Sequence, residues 1–252
     1  MKKINTVTKK IQNRAAALAL SGTLPNCLAC GATSHTFEPL KMSWCWNHDK
    51  FSRFWFSGIP EYSIFIKGNS KLPFWGFSCC PDFTCPGAGE CLKFCYSYKA
   101  WRYPSAYYRQ LQNTILLQSE AGRYQIATNK KHHGFLTLPK NRTVRLYVDG
   151  DYNNMTTMKF WWGLLDQRPD MSVYGYSKSW ELFLDYAKTG QTFPKNYKLN
   201  LSSGSKYGES MRLKMETLPI TRGDFIAIPS DTKAPNRRNN PAAFSAFAKA
   251  LK

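Results

Sequence analysis

The chain has 252 residues, 43% of them hydrophobic, and a formal charge of +19 from 35 Lys and Arg against 16 Asp and Glu. The hydrophobic share excludes a disordered chain, the length allows one sizeable core rather than two large domains, and no apolar run approaches the ~20 residues of a membrane span. The cationic excess is spread along the chain and attracts polyanions; nucleic acid is the commonest, since each Lys or Arg that reaches a phosphate releases a condensed counterion. DNA is expected ahead of RNA, with basicity serving only solubility as the alternative.

Residues 1–22 read as a basic N-terminal helix or arm, because Arg14 abuts the short apolar run Ala15 to Leu20 and spoils an export signal. All eight cysteines fall between Cys27 and Cys95. With no export signal, clustered thiols point to metal rather than to a disulfide framework, and to a cytoplasmic protein. The first group is Cys27-x2-Cys30 followed by Cys45-x2-His48, two ligand pairs at the spacing that grips a tetrahedral Zn2+. Residues 1–70 lack the rhythm of the rest and are expected to form a small cysteine-containing appendage of arm and zinc knuckle.

Residues 71–252 are expected to form an α/β metal-cluster domain. Leu72 to Ser78 reads as a strand, and the second cysteine group follows it: Cys85-x5-Cys91-x3-Cys95, with Cys79 or Cys80 available as a fourth thiolate and Cys80 preferred. Pro86, Gly87 and Gly89 let the loop fold back toward a cluster. The long gaps favour an iron–sulfur cluster over zinc, with structural or redox thiols as the remaining reading. Tyr96 to Tyr103, then Tyr107, Tyr108 and Arg109, interleave rings with cations, a pattern that stacks on unpaired bases or else packs a core. A helix is expected over residues 105–120. Lys99, Arg102, Arg109, Lys130, Lys131, Arg237 and Arg238 are the candidate phosphate contacts, the last four on the basic loops 129–134 and 233–241; His132 and His133 are expected to be solvated.

From residue 143 the sequence alternates short β-branched or aromatic runs with helix-period segments. Strands are expected over 143–151, 171–179, 197–205 and 224–231, and helices over 155–165, 180–187, 209–217 and 241–251. Successive βα units imply a parallel sheet with right-handed crossovers, either an open doubly wound sheet or, as preferred, a partial or full barrel; in both, ligands sit at the carboxyl ends of the strands. Asp149 and Asp151 flank Gly150 at one such end. With Lys178 they are the candidate catalytic set for a metal-dependent nuclease, the alternative being a turn with a helix cap.

Two resemblances follow from these motifs. Cys91-Leu-Lys-Phe-Cys-Tyr-Ser-Tyr98 resembles the cluster loop of radical S-adenosylmethionine enzymes, except that Tyr98 stands at the third cysteine position and Cys85 would have to supply that thiolate. More extensively, CPGAGECLKFCY, Arg102-Tyr-Pro-Ser105, Gly150-Asp151-Tyr152 and Tyr174-Gly-Tyr-Ser-Lys-Ser179 resemble, in order and spacing over roughly residues 74–205, the phage gene 88 product family. Family members tend to read Arg-Leu-His-Asp-Ser-Gly-Asp-Phe where this chain has Arg145-Leu-Tyr-Val-Asp-Gly-Asp-Tyr152. The resemblance implies a phage or mobile-element context and a host-cell cytoplasm. The function expected is a nucleic-acid-binding metalloprotein acting in DNA replication or processing; the alternatives are a cluster-dependent redox enzyme and a non-catalytic nucleic-acid-binding protein.

Overall fold

The computed structural model describes residues 46–70, 73–81, 83–93, 95, 97 and 104–225. In chain order these form helix α1 (Trp46–Ser57), strands β1 (Phe65–Lys67) and β2 (Trp75–Phe77), helices α2 (Pro104–Gln118) and α3 (Glu120–Thr128), then β3 (Thr143–Leu146), α4 (Met155–Gln167), β4 (Ser172–Ser177), α5 (Trp180–Lys188), β5 (Tyr197–Ser202), α6 (Glu209–Glu216) and β6 (Thr221–Phe225). Short 3-10 turns occupy Glu90–Lys93 and Phe135–Thr137.

The six strands lie side by side in chain order, with β1 antiparallel to β2 and every later pair parallel. Among the described residues the sheet is open, with β1 and β6 at its edges, so these strands do not form the closed barrel that the βα rhythm allowed. Right-handed crossovers between strands in sequential order carry the helices onto one face of the sheet. Strand alternation sorts the side chains accordingly: Phe77, Val144, Leu146, Val173, Tyr197 and Leu199 are buried toward the helices, while Arg145, Tyr174, Tyr176, Lys198 and Asn200 project from the other face and remain partly or fully exposed.

The helix-side core is aromatic. Trp161 of α4 is fully buried and packs its ring against Phe77, Phe65, Phe135 and Tyr147. Its indole N–H donates to the Tyr147 hydroxyl at 2.9 Å. Trp162 packs on Tyr197, Tyr152 and Phe183.

Several expected boundaries shift for local reasons. β3 stops at Leu146 instead of continuing to residue 151, because Tyr147 turns the backbone to a φ of 54°. The last strand begins at Thr221, three residues before its expected start. The helix expected over 105–120 ends at Gln118, and Ser119 caps a second helix, α3, by accepting from the Gly122 N–H. Across residue 70, the expected boundary, β1 is hydrogen-bonded to β2, and Phe51, Phe54, Tyr62, Ile64 and Phe65 belong to the common core. The first 45 residues, with most of the expected appendage, and the helix expected over 241–251 lie outside the described residues. Among those described, no helix is long and apolar enough to cross a membrane.

Two substitutions in α4 test this packing. Trp161→Ala should lower the free energy of unfolding by roughly 3–5 kcal/mol, because it empties a large aromatic site. Gly163→Ala, exposed in the same helix with nothing within 4 Å of an added Cβ, should raise it by about 0.5–1 kcal/mol through helix propensity. Urea unfolding of both variants measures the difference.

Candidate functional site at the carboxyl edge of the sheet

The cysteine segment leaves the carboxyl end of β2 and is pinned there by three other strand tails. Cys79 N–H donates to the Asp149 carbonyl at 2.9 Å, which ties the loop to the tail of β3. Gly87 lies against the tail of β4: a Cβ on it would stand 1.7 Å from the Lys178 carbonyl oxygen, so only glycine fits. Its own carbonyl accepts from the Lys206 N–H at 3.0 Å beyond β5, where Ala88 also forms a bridge with Ser205. Gly89 and Cys91 both donate to the Gly204 carbonyl. Gly150, at a φ of 84°, places its α-carbon so close to Thr84 and Cys79 that an added Cβ would clash with the Thr84 hydroxyl at 2.5 Å.

Asp151 joins these tails. Its Oδ1 accepts from the Ser177 hydroxyl at 2.7 Å and from the Tyr152 N–H at 2.8 Å, and its Oδ2 accepts from the Lys178 and Ser179 N–H groups at 2.7 and 3.1 Å. Its own N–H donates to Thr84 Oγ1 at 3.2 Å, and Thr84 in turn donates to the Cys80 carbonyl at 2.9 Å. The carboxylate is buried. Burial pushes its pKa above the ordinary value, against the pull of the Lys178 and Tyr152 N–H groups and the Ser177 hydroxyl.

Helix α2 closes the edge from the other side with a buried polar run. Gln110 donates to Asp149 Oδ2 at 3.0 Å, and Thr114 Oγ1 accepts from the Cys80 N–H at 2.8 Å. Asn113 donates to the carbonyls of Ile64 and Ser78, and Gln112 accepts from Glu61 and Tyr62 while donating to the Tyr62 carbonyl. None of these four side chains was legible as part of the site from motifs. The signal was present all the same: Gln110-Leu-Gln-Asn-Thr114 puts four polar residues in five into mid-helix, which an amphipathic helix with one wet face does not do.

The expected ligands separate by burial. Cys79 and Cys80 are fully buried core thiols; burial raises both, Cys80 to about 12, and the Thr114 side chain pulls each down. Cys85, Cys91 and Cys95 are only partly buried. Cys95 is held as a thiol mainly by burial, with Ser97 pulling the other way and the charges of Cys91 and Asp149 adding to the rise. Among the described residues no group of three or more His, Cys, Asp and Glu side chains stands close enough to hold a metal ion. The case for metal therefore rests on donor chemistry, three partly buried cysteines on one glycine-shaped loop. Cys80, the expected fourth ligand, is fully buried. Cys27, Cys30 and Cys45 lie outside the described residues; His48 lies in α1, its side chain likewise outside.

Each member of the candidate catalytic set has a hydrogen-bond partner. Asp149 is bound to Gln110, Asp151 has both oxygens engaged, and Lys178 Nζ donates to Ser202 Oγ at 2.7 Å. Tyr107 and Tyr108 are core rings, Tyr108 stacked on Phe51, and are not available to bases. Arg109 is partly buried near Asp149. Lys130 and Lys131 are exposed on the turn after α3; beside them His132 is half-buried rather than solvated, its pKa lowered first by burial and then by Lys131 and Lys50. Lys99, Arg102, Arg237 and Arg238 lie outside the described residues.

A family model described as gene product 88 matches residues 57–249. No curated protein matches the chain, and no solved structure does.

The raised Asp151 carboxyl fixes the sign of a pH effect. A group whose folded pKa exceeds its unfolded value contributes stability that is full below the unfolded pKa, 3.8 for this residue, and is lost as pH rises through the folded pKa. Unfolding free energy measured in urea should therefore decline with pH across that window. Asp151→Asn should flatten the decline and cost about 3 kcal/mol, because an amide NH2 would face N–H donors; an unchanged pH slope would refute the assignment.

Proposed function

Because the chain belongs to the gene product 88 family, we propose that it is a phage or mobile-element protein that holds an iron–sulfur cluster on Cys85, Cys91 and Cys95, binds nucleic acid, and acts in replication or processing of the element's DNA. One observation carries the cluster assignment. Of the cysteines here two are fully buried and three only partly, while the surrounding backbone is fixed by Asp151, Gly87 and the Gly204 carbonyl. A well-tied loop bearing three partly buried cysteines suits a soft metal centre, which when bound supplies electron transfer or an open coordination position. The Zn2+ knuckle of Cys27, Cys30, Cys45 and His48 remains part of the proposal for the N-terminal residues.

The nucleic-acid part is supported by the charge of +19 and by the exposed Lys130 and Lys131. A nuclease centre of Asp149, Asp151 and Lys178 has less support, because Asp151 is occupied in holding the strand tails together. A cluster-dependent redox enzyme on a partial barrel is favoured by a different observation: the cysteine loop follows the first of five parallel strands arranged in chain order, the position of the cluster loop in the radical enzymes it resembles. Reductive cleavage of S-adenosylmethionine would promote that reading.

Protein purified without oxygen should be brown and carry iron with acid-labile sulfide. Cys85→Ser, Cys91→Ser and Cys95→Ser should each remove most of the colour, and Cys80→Ala should keep it. A colourless protein holding only zinc would sink the iron–sulfur claim. For the nucleic-acid claim, replacing both Lys130 and Lys131 with Ala should reduce the slope of log affinity against log salt by roughly 2.

A further inference from the structure

The face of the sheet turned away from the helices carries rings and cations. Phe74, just before β2, and Tyr174, Tyr176 and Phe225 of β4 and β6 form a continuous edge-to-face series: Phe74 to Tyr174 at 6.0 Å, Tyr174 to Tyr176 at 6.0 Å, and Tyr176 to Phe225 at 5.0 Å between centroids. Arg145 of β3 lies within this series, its guanidinium carbon 4.6 Å from the Tyr176 centroid and 6.0 Å from that of Phe74. Arg145 Nε is buried there and has no hydrogen-bond partner among the described residues.

Among the described strand residues, charge on this face has one sign. Arg145 and the exposed Lys198 project from it, and Arg222 sits at the register shift between β5 and β6. The strand carboxylate nearest in sequence, Asp224, alternates onto the other face, opposite Leu201, and meets Arg212 of α6. Phe225 is 47% exposed, and Tyr174, Tyr176 and Asn200 are partly exposed. Flat rings, interleaved cations and the absence of a carboxylate among the described strand residues of this face are the features by which a protein takes up an unpaired polyanion: rings stack on bases, and cations reach the backbone between them.

We propose that this face of the sheet is a stacking platform for single-stranded nucleic acid, with Tyr174, Tyr176 and Phe225 receiving bases and Arg145, Lys198 and Arg222 contacting phosphates. The proposal rests on the nucleic-acid reading above and gives it a location and a substrate class. Duplex is disfavoured because its bases are already stacked on one another and present no free face. The platform also differs in kind from the Lys130–Lys131 turn, which offers charge without rings to either form.

Fluorescence anisotropy with a labelled oligothymidylate, alone and annealed to its complement, tests this. The full-length protein should bind the single strand more tightly than the duplex. Tyr176→Ala and Phe225→Ala should each weaken single-strand binding by about tenfold with the salt slope unchanged, whereas Tyr176→Phe and Phe225→Trp, which keep a ring, should bind as the parent does. Photocrosslinks from a bromouracil-substituted strand should map to β4 and β6. Undiminished single-strand binding by ring-deleted variants that melt at the parent temperature would overturn the platform while leaving the nucleic-acid reading intact. So would lysine crosslinks from Lys198 into residues 226–252 with no nucleic-acid crosslink to the face, because the chain's own segment would then be the occupant. Failure to bind either form at low salt would remove the broader reading and the platform together.

Discussion

The organisation of the carboxyl edge depends on one buried carboxylate. Asp151 accepts four hydrogen bonds from the Ser177 hydroxyl and from the N–H groups of Tyr152, Lys178 and Ser179, and through Thr84 it reaches the cysteine segment. Parallel strands leave their tails as separate loops with no hydrogen bonds of their own, and buried N–H groups without acceptors are costly. An ionised carboxylate, which only accepts, satisfies several such donors at one point and fixes the spacing of the tails. The cost is the desolvation of a charge, which is why its pKa is raised.

Once the tails are fixed, the cysteine loop has little freedom left. Gly87 rests on the Lys178 carbonyl, Gly89 and Cys91 share the Gly204 carbonyl, and Cys80 is held at its N–H by Thr114. The buried amides of α2 continue the same accounting on the far side, where Asn113 supplies donors to the carbonyls of both Ile64 and Ser78. Polar residues here do the work that a ladder partner does inside a sheet, in a place where two loops and an edge strand meet and no regular ladder can form. The partly exposed thiols are thus carried on a backbone that is itself well tied.

The parallel strands and their helices were legible because alternation and helical period are local signals: 172–177, 180–188 and 197–202 fall almost where the pattern put them. The gene 88 family was legible from motif blocks for the same reason, their order and spacing being written along the chain. What could not be read depended on contacts between distant residues. β1 is only three residues long and pairs with β2, so its membership of the main sheet is invisible without its partner. Cys79 and Cys80 look like ligands in sequence, and only their burial marks them as core. The partners of Asp151 come from residues 26 to 28 positions away as well as from its neighbour, so the hydrogen bonds that engage both its oxygens are not written in the Asp-Gly-Asp segment itself. The ring series on the face away from the helices was hidden because Tyr174 and Tyr176 alternate with the core residues of β4 and read as ordinary strand.

The segment Arg145 to Tyr152 sharpens the division between carboxylates and thiols. After Arg145 and Leu146 it continues with Tyr147 and Val148. Tyr147 is buried, bends the backbone out of the strand at positive φ, and accepts from Trp161, so the position is spent on the core. Val148 occupies the space over Gly76, where an added Cβ would come within 2.9 Å of it. Both positions are spent on packing, and of the neighbouring acids Asp151 joins the strand tails while Asp149 Oδ2 accepts from Gln110. The polar groups of this segment thus hold backbone and side chains of the edge together, while Cys85, Cys91 and Cys95 stay only partly buried beside them.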